Sequence, residues 1–159
     1  MIKVTVIAMS KLKEKYLASA VEEYSKRLSR YCDLRICEIE PVKLPEKPSE
    51  GEITAALDKE AELILKHIPQ GSKTVSLCVE GKPLSSPQLA QEIQNQSNMG
   101  RGITFIIGSS YGLSSRVKQA SELRLSMSEM TFPHQLFRVM LLEQIYRGFK
   151  INEGSAYHK

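Results

Sequence analysis

Two periods of apolar residues take turns along the chain. Short β-branched runs alternate with longer stretches whose apolar residues recur every three or four positions, the signatures of strands and of amphipathic helices. Lys3–Ala8 (Lys-Val-Thr-Val-Ile-Ala) is a strand. Lys13–Arg30 is a helix with Tyr16, Ala20, Tyr24 and Leu28 on one face. Leu34–Ile39 is a strand, and the proline-rich, charged stretch Pro41–Gly51 is an exposed loop. Glu52–His67 is a helix with Ile53, Leu57, Ala61, Ile64 and Leu65 inward. Thr74–Val79 is a strand, Glu80-Gly81-Lys82-Pro83 turns, and Ser86-Pro87 caps a helix over Gln88–Asn98. Ile103–Ile107 is continuously apolar, as a central parallel strand covered on both faces would be. Gly108–Gly112, a short helix Ser114–Ala120 and an alternating run ending at Ser126 follow. The pattern predicts one α/β domain over residues 1–159, with a mostly parallel sheet and helices on both faces.

The chain is organised around Leu123–Phe137. A strand ends there, a loop of small and flexible residues follows, and Pro133 opens a helix that runs to about Lys150. Thr131 is a candidate cap, and Pro133 suits a first turn. Strand, loop and helix start together aim backbone N–H groups at a ligand. On that helix Glu143, Arg147 and Lys150 form the expected solvated face. Arg138 lies opposite them, in the arc of Leu141, Leu142, Ile145 and Phe149. A charge there is either paired at a buried interface or serves a site. His134, one turn earlier, is a capping or first-turn residue or a member of that site. The helix is apolar around much of its circumference, through Phe137, Met140 and Leu141 on one side and Val139, Leu142 and Tyr146 on another. That predicts a partner subunit in a two-fold homodimer.

Composition narrows the class. The chain has 159 residues, 42% hydrophobic and 25% charged, enough for a real core. No apolar run is long enough to span a membrane, and the β-branched N-terminus broken by Lys3 is not a signal peptide. Cys32, Cys37 and Cys78 form an odd set without C-x-x-C spacing, consistent with reduced core thiols of a cytoplasmic protein. The histidines at 67, 134 and 158 are scattered, so a metal site is not expected. Net charge is +4, unevenly spread: residues 1–30 and 101–159 each carry +4, and residues 31–100 carry −4. Ends brought together by folding would make a basic face for a polyanion; plain solubility is the alternative.

Ligands of parallel α/β sheets bind at the carboxyl ends of strands. Three loops lie there: Val79–Pro83, Gly108–Gly112 and Met127–Phe132. Their Gly, Ser and Thr content lets backbone approach a ligand closely. None is a P-loop or a G-x-G-x-x-G fingerprint, and a lone Gly-x-x-x-Gly is more often a turn.

Several segments together resemble one family. They are Lys3-Val-Thr-Val-Ile-Ala with Lys11-Leu-Lys, Leu77-Cys-Val-Glu-Gly81-Lys and Phe105-Ile-Ile-Gly108-Ser-Ser-Tyr-Gly112-Leu. To these add Leu125-Ser-Met-Ser-Glu-Met-Thr131-Phe-Pro-His134, Glu143-Gln-Ile-Tyr-Arg147 and the terminal Tyr157-His158-Lys159. Along its whole length the chain resembles the ribosomal RNA large subunit methyltransferase H family of the SPOUT class. One departure stands out: that family has Gly-Gly after its central strand, and here Ser109 follows Gly108. A positive φ at that position would strain the serine.

The resemblance implies a C-terminal trefoil knot and a homodimer. It also implies methyl transfer from S-adenosylmethionine to N3 of a pseudouridine in 23S ribosomal RNA on the assembled ribosome. Carried over by motif, the cofactor contacts are Leu77, Gly108 and Met127, Ser128, Glu129, Met130, Thr131 and Phe132. A sulfonium is already a good electrophile, so the protein's work is alignment and removal of the acidic N3 proton. His158 is a candidate base by resemblance, Arg138 could stabilise the developing imide anion, and Tyr157 could stack on a base. A non-catalytic nucleotide-binding module or a ribosome-associated RNA-binding factor would share the loops and the charge.

Overall fold

The computed structural model describes all residues from Met1 to Lys159. Ten elements follow one another: β1 (Ile2–Met9), α1 (Lys15–Leu28), β2 (Cys32–Ile39), α2 (Glu50–His67), β3 (Lys73–Pro83), α3 (Ser86–Asn98), β4 (Ile103–Ile107), α4 (Ser115–Ala120), β5 (Leu123–Ser126) and α5 (His134–Asn152). The five strands form one parallel sheet in the order β2-β1-β4-β3-β5. The α/β reading, with helices on both faces, therefore holds.

All five residues of β4 are buried, as its unbroken apolar run requires. Period-two alternation divides its side chains: Ile103, Phe105 and Ile107 join the core under α1, α3 and α5, and Ile106 joins the core under α2 and α4. The first cluster holds 17 buried residues and the second 8, so the two faces are unequally filled.

Five expectations change in detail. The buried stripe of α1 is Leu17, Val21 and Leu28, with Tyr16 69% exposed. Steps of four advance a helix by 400°, so the row Tyr16–Leu28 winds about 120° around the axis, and a mix of three- and four-residue steps stays on one side. On α2 the buried residues are Ala56, Glu60, Ala61 and Ile64; Ile53, Leu57 and Leu65 are only half-buried. The segment Glu80–Pro83 does not turn. It continues β3 past an irregularity between Leu77 and Lys82 that shifts its register on β5. Gly81 permits this, because a Cβ there would come within 2.8 Å of the Arg124 and Leu125 backbone. The α3 cap is Ser85, in a reciprocal capping box with Gln88.

Helix α5 is the fifth case. Pro133, not Thr131, occupies its N-cap, and its carbonyl accepts the Phe137 N–H at 2.9 Å. The expected solvated face is half-buried. Glu143 and Arg147 bond each other at 2.8 Å, Tyr157 donates to Glu143 at 2.9 Å, and Lys150 reaches Glu153 and the Tyr31 hydroxyl. The chain's own C-terminal residues thus cover polar groups that periodicity assigned to water.

Candidate active site

The carboxyl ends of β3 and β4 and the chain after β5 meet at one cleft of ≈ 660 Å³. Leu77 to Glu80 line one side, Ile107 to Leu113 the floor, and Met127, Ser128, Met130, Thr131, Phe132 and Pro133 the other side. His134 and Phe137 close it from α5. Two of the three stretches read as strand-end ligand loops, Gly108–Gly112 and Met127–Phe132, therefore meet here; the third, Val79–Pro83, is strand, and only its Val79 and Glu80 reach the cleft. Of the eight cofactor candidates, seven line the cleft; Glu129 is exposed and does not.

The loop after β5 shapes itself. The Ser126 hydroxyl donates to the Ser128 carbonyl at 3.1 Å, and the Ser128 hydroxyl accepts the Met130 N–H at 2.9 Å. Gly108 is required for a different reason. A Cβ on it would sit 2.5 Å from the Gly112 carbonyl oxygen, and Gly112 itself turns the loop at φ 87°. Ser109 takes no positive φ; among non-glycine residues only Ser10 does, at 67°. The feared strain at Ser109 is absent.

Charge at the cleft is sparse. Lys118 pairs with Glu80, and this pairing holds the Glu80 carboxyl below its usual range. His134 is depressed below its ordinary value, first by burial and then by the positive charges of Arg138 and Lys13, so it stands as a neutral imidazole at pH 7. Cys78 lies in the wall with its thiol pushed up by burial and by Glu80.

The other catalytic candidates lie elsewhere. Arg138 is 2% exposed and does not line the cleft. It donates to Glu38 at 2.6 Å and to the Ser10 carbonyl at 2.8 Å, with its Nε unpartnered. Of the two readings left open for it, its own chain supplies the paired one. It locks the left-handed Ser10 behind the wall. Tyr157 packs edge-on against Tyr146, and the Arg147 guanidinium lies over its ring. His158 is exposed and bonds Arg147 at 3.2 Å. Residues 143 and 147 lie roughly 14–20 Å along α5 from His134 at about 1.5 Å per residue, so the tail is not at its own cleft.

Beside the cleft opens a second chamber of ≈ 210 Å³ that shares Ser109, Ser110, Tyr111 and His134 with it. Its deep wall is Glu60, 4% exposed. The carboxylate accepts the Val42 N–H at 3.0 Å, and the Ser109 hydroxyl stands beside it. Burial raises the Glu60 pKa; these two donors oppose the rise. Sequence reasoning missed Glu60. The signal was present: it falls one turn before Ile64 in the apolar arc of α2, the same anomaly that marked Arg138 on α5.

With this geometry in hand, comparison with known proteins decides the family. The model described as "Predicted SPOUT methyltransferase" matches residues 2–158. The chain belongs to the SPOUT methyltransferase family. It is 51% identical over 157 residues to the ribosomal RNA large subunit methyltransferase H of Clostridium tetani, covering 98% of this chain and 99% of that one. To the protein of the same name from Clostridium kluyveri it is 49% identical with the same coverage. A crystal structure of a Neisseria gonorrhoeae protein assigned to a methylase family superposes with a TM-score of 0.56 at 12% identity, over 91% of this chain and 82% of that one. At that identity it speaks for the fold alone. The cleft lies at the carboxyl end of the sheet, where ligands of parallel α/β folds bind.

Proposed function

We propose that this protein transfers a methyl group from S-adenosylmethionine to N3 of a pseudouridine in 23S ribosomal RNA, acting in the cytoplasm on the assembled ribosome. The observation that carries the reading is the near-full-length identity of about half the residues to ribosomal RNA large subunit methyltransferases H. The site supports it. The cleft volume suits a ligand of this size. Its walls mix apolar side chains with backbone groups, and the bare Cα of Gly108 lets the Gly112 carbonyl fold tightly against it in the floor.

Bound there, S-adenosylmethionine supplies an electrophilic methyl on a sulfonium. The chain's share is orientation and proton handling. Leu77, Gly108 and Met127–Phe132 hold the donor, largely through backbone. His134, lining the cleft and held neutral by its burial and then by the nearby charges of Arg138 and Lys13, is the residue assigned to take the N3 proton. Loss of that proton would make N3 the nucleophile that an electrophilic methyl requires, and orienting it would fall to the walls of the cleft.

A homodimer and a knotted C-terminal threading complete the reading. Tyr111, Met130 and Leu136 are exposed apolar residues on or beside the cleft, a rim suited to cover by a second copy or by RNA. The tail, lying far from its own cleft, would serve the partner's.

The test is incubation of unmodified ribosomes with the protein and isotopically labelled S-adenosylmethionine, followed by mass mapping of the RNA. One label at N3 of a pseudouridine in 23S RNA is expected. Cofactor binding without transfer would leave a nucleotide-binding module; no binding at all would leave a ribosome-associated factor.

A further inference from the structure

The second chamber has no part in the chemistry above. It holds a carboxylate almost wholly removed from water, in a space of ≈ 210 Å³ open to the cleft wall at Ser109–Tyr111 and His134. That volume is worth about seven liquid waters, the scale of a single pyrimidine ring. Pro41, Val42, Leu44 and Leu57 supply apolar surface around it. A buried carboxylate facing such a space is a strong, pre-oriented acceptor for an N–H donor.

We infer that this chamber receives the target base and that Glu60 accepts the N1–H of a pseudouridine, making it the residue that separates pseudouridine from uridine. The inference rests on the proposed substrate. Its logic is the geometry of the six-membered ring. In pseudouridine N3, C5 and N1 point outward at 120° to one another. N3 must face the methyl donor in the cleft, and C5 carries the ribose and leads out to the RNA. The third direction, N1–H, is left for the protein to read. In uridine the ribose is on N1, and the same direction presents C5–H, which makes no comparable hydrogen bond.

Energetics then favour discrimination. A base that offers N1–H satisfies a carboxylate already held by Val42 N–H and flanked by Ser109. A base that offers C5–H leaves that acceptor facing an apolar C–H, which is the situation in which hydrogen-bonding sites reject analogues most strongly. Ser109 fits the same picture. Where the resembled family has glycine, this chain adds a hydroxyl that faces Glu60 and helps keep it ionised.

The experiment compares kcat/KM on two ribosome preparations, one with pseudouridine at the target position and one with uridine there, the latter from cells lacking the pseudouridine synthase. The native protein should prefer pseudouridine by roughly 10- to 100-fold or more, the range of a hydrogen bond to a charged group. Glu60→Met should collapse that ratio to within a few-fold. Glu60→Gln, which keeps shape and a neutral acceptor, should lower it by about 10-fold. Cofactor affinity by calorimetry and the unfolding curve identify any variant that fails to fold, in which case Glu60→Gln decides. An equal fall on both substrates, as a structural role would give, overturns the inference. So does an unchanged ratio, or a native protein that methylates both alike. A native protein that methylates neither would instead sink the proposed function itself.

Discussion

The two faces of the sheet are built differently. Under α1, α3 and α5 the strands bury a continuous cluster of 17 residues. Under α2 and α4 they bury 8, and at the carboxyl end this side opens into the chamber of Glu60. The first face carries stability and offers a ligand little beyond Leu77, Ile107 and Phe137. The second gives up apolar contact and keeps a buried carboxylate facing open space, whereas the buried Arg138 of α5 is already bonded to Glu38 and Ser10. Filled cores maximise packing, and sites require space and unsatisfied polarity. One sheet separates the two demands by face, with the cleft at the seam.

The largest expected effect is at that seam. Gly108→Val puts a branched side chain where a Cβ alone would come within 2.5 Å of the Gly112 carbonyl. Backbone cannot yield as a side-chain tip does, so the loop must move. No cofactor binding should be detectable by calorimetry, and the sheet should still unfold cooperatively. Native affinity in this variant would remove the cleft as the donor site.

The next comparison sets one buried residue of each face against the other. Leu142→Ala on α5 should cost about 3–5 kcal/mol, because nothing around it can collapse. Ile64→Ala on α2 should cost about 2–3 kcal/mol, since its smaller cluster lies on the more open side. Urea denaturation measures both. Equal losses would mean that the faces are equally packed, and the contrast drawn between them would fail.

How much of this was legible in sequence follows the same division. Strand β4 was readable because a strand covered on both sides needs no alternation, and its five apolar residues said so. Two of the ligand loops, Gly108–Gly112 and Met127–Phe132, were readable because strand ends and small residues mark them together. What escaped was non-local. The capping of α5 by Pro133 depends on how the preceding loop is held by Ser126 and Ser128. The half-burial of Glu143 and Arg147 depends on Tyr157 folding back on them. Gly81 looked like a turn because its reason, the approach of the Arg124 backbone, lies more than forty residues away in sequence. Arg138 and Glu60 carried the same mark, a charge in an apolar arc. Only Arg138 was noticed, because Glu60 sits on a helix whose other polar residues were unremarkable.

A smaller effect is expected at the tail, on the outer side of the filled face. Removing residues 155–159 deletes no buried side chain. It frees Glu143 and Arg147 from Tyr157 and His158, so stability should change by about 1 kcal/mol, the scale of partly exposed pairs. Methyl transfer should fall on the order of 100-fold, since lost alignment alone has that size. Mixing this truncation with a His134→Ala chain distinguishes the two arrangements. If each cleft borrows its partner's tail, a mixed dimer contains one intact site and activity partly returns. Tails serving their own clefts would restore nothing.

The last and smallest effect belongs to Glu60 and appears in the pH dependence of stability. Burial raises its folded pKa above that of the unfolded chain, near 4.3 for a glutamate. The folded state then binds the proton more tightly than the unfolded state does. Its stabilising contribution is fully present below the unfolded pKa and is lost as pH rises through the folded pKa. Glu60→Gln mimics the protonated side chain at every pH and cannot show that loss. The native protein should therefore compare worst with this variant at neutral pH, and the gap should close as pH falls through the carboxylate range. His134 also borders the chamber and is lowered by burial, but it is present in both proteins, and unfolding curves from about pH 4 to 7 compare them across the whole range. Glu80, Glu122 and Glu153, each held down by a lysine or arginine partner, work in the opposite direction, but they are common to both proteins and cancel in the difference. A gap that stays constant with pH would mean that Glu60 is no harder to ionise when folded, and that the open face holds no stored charge to lend to a substrate.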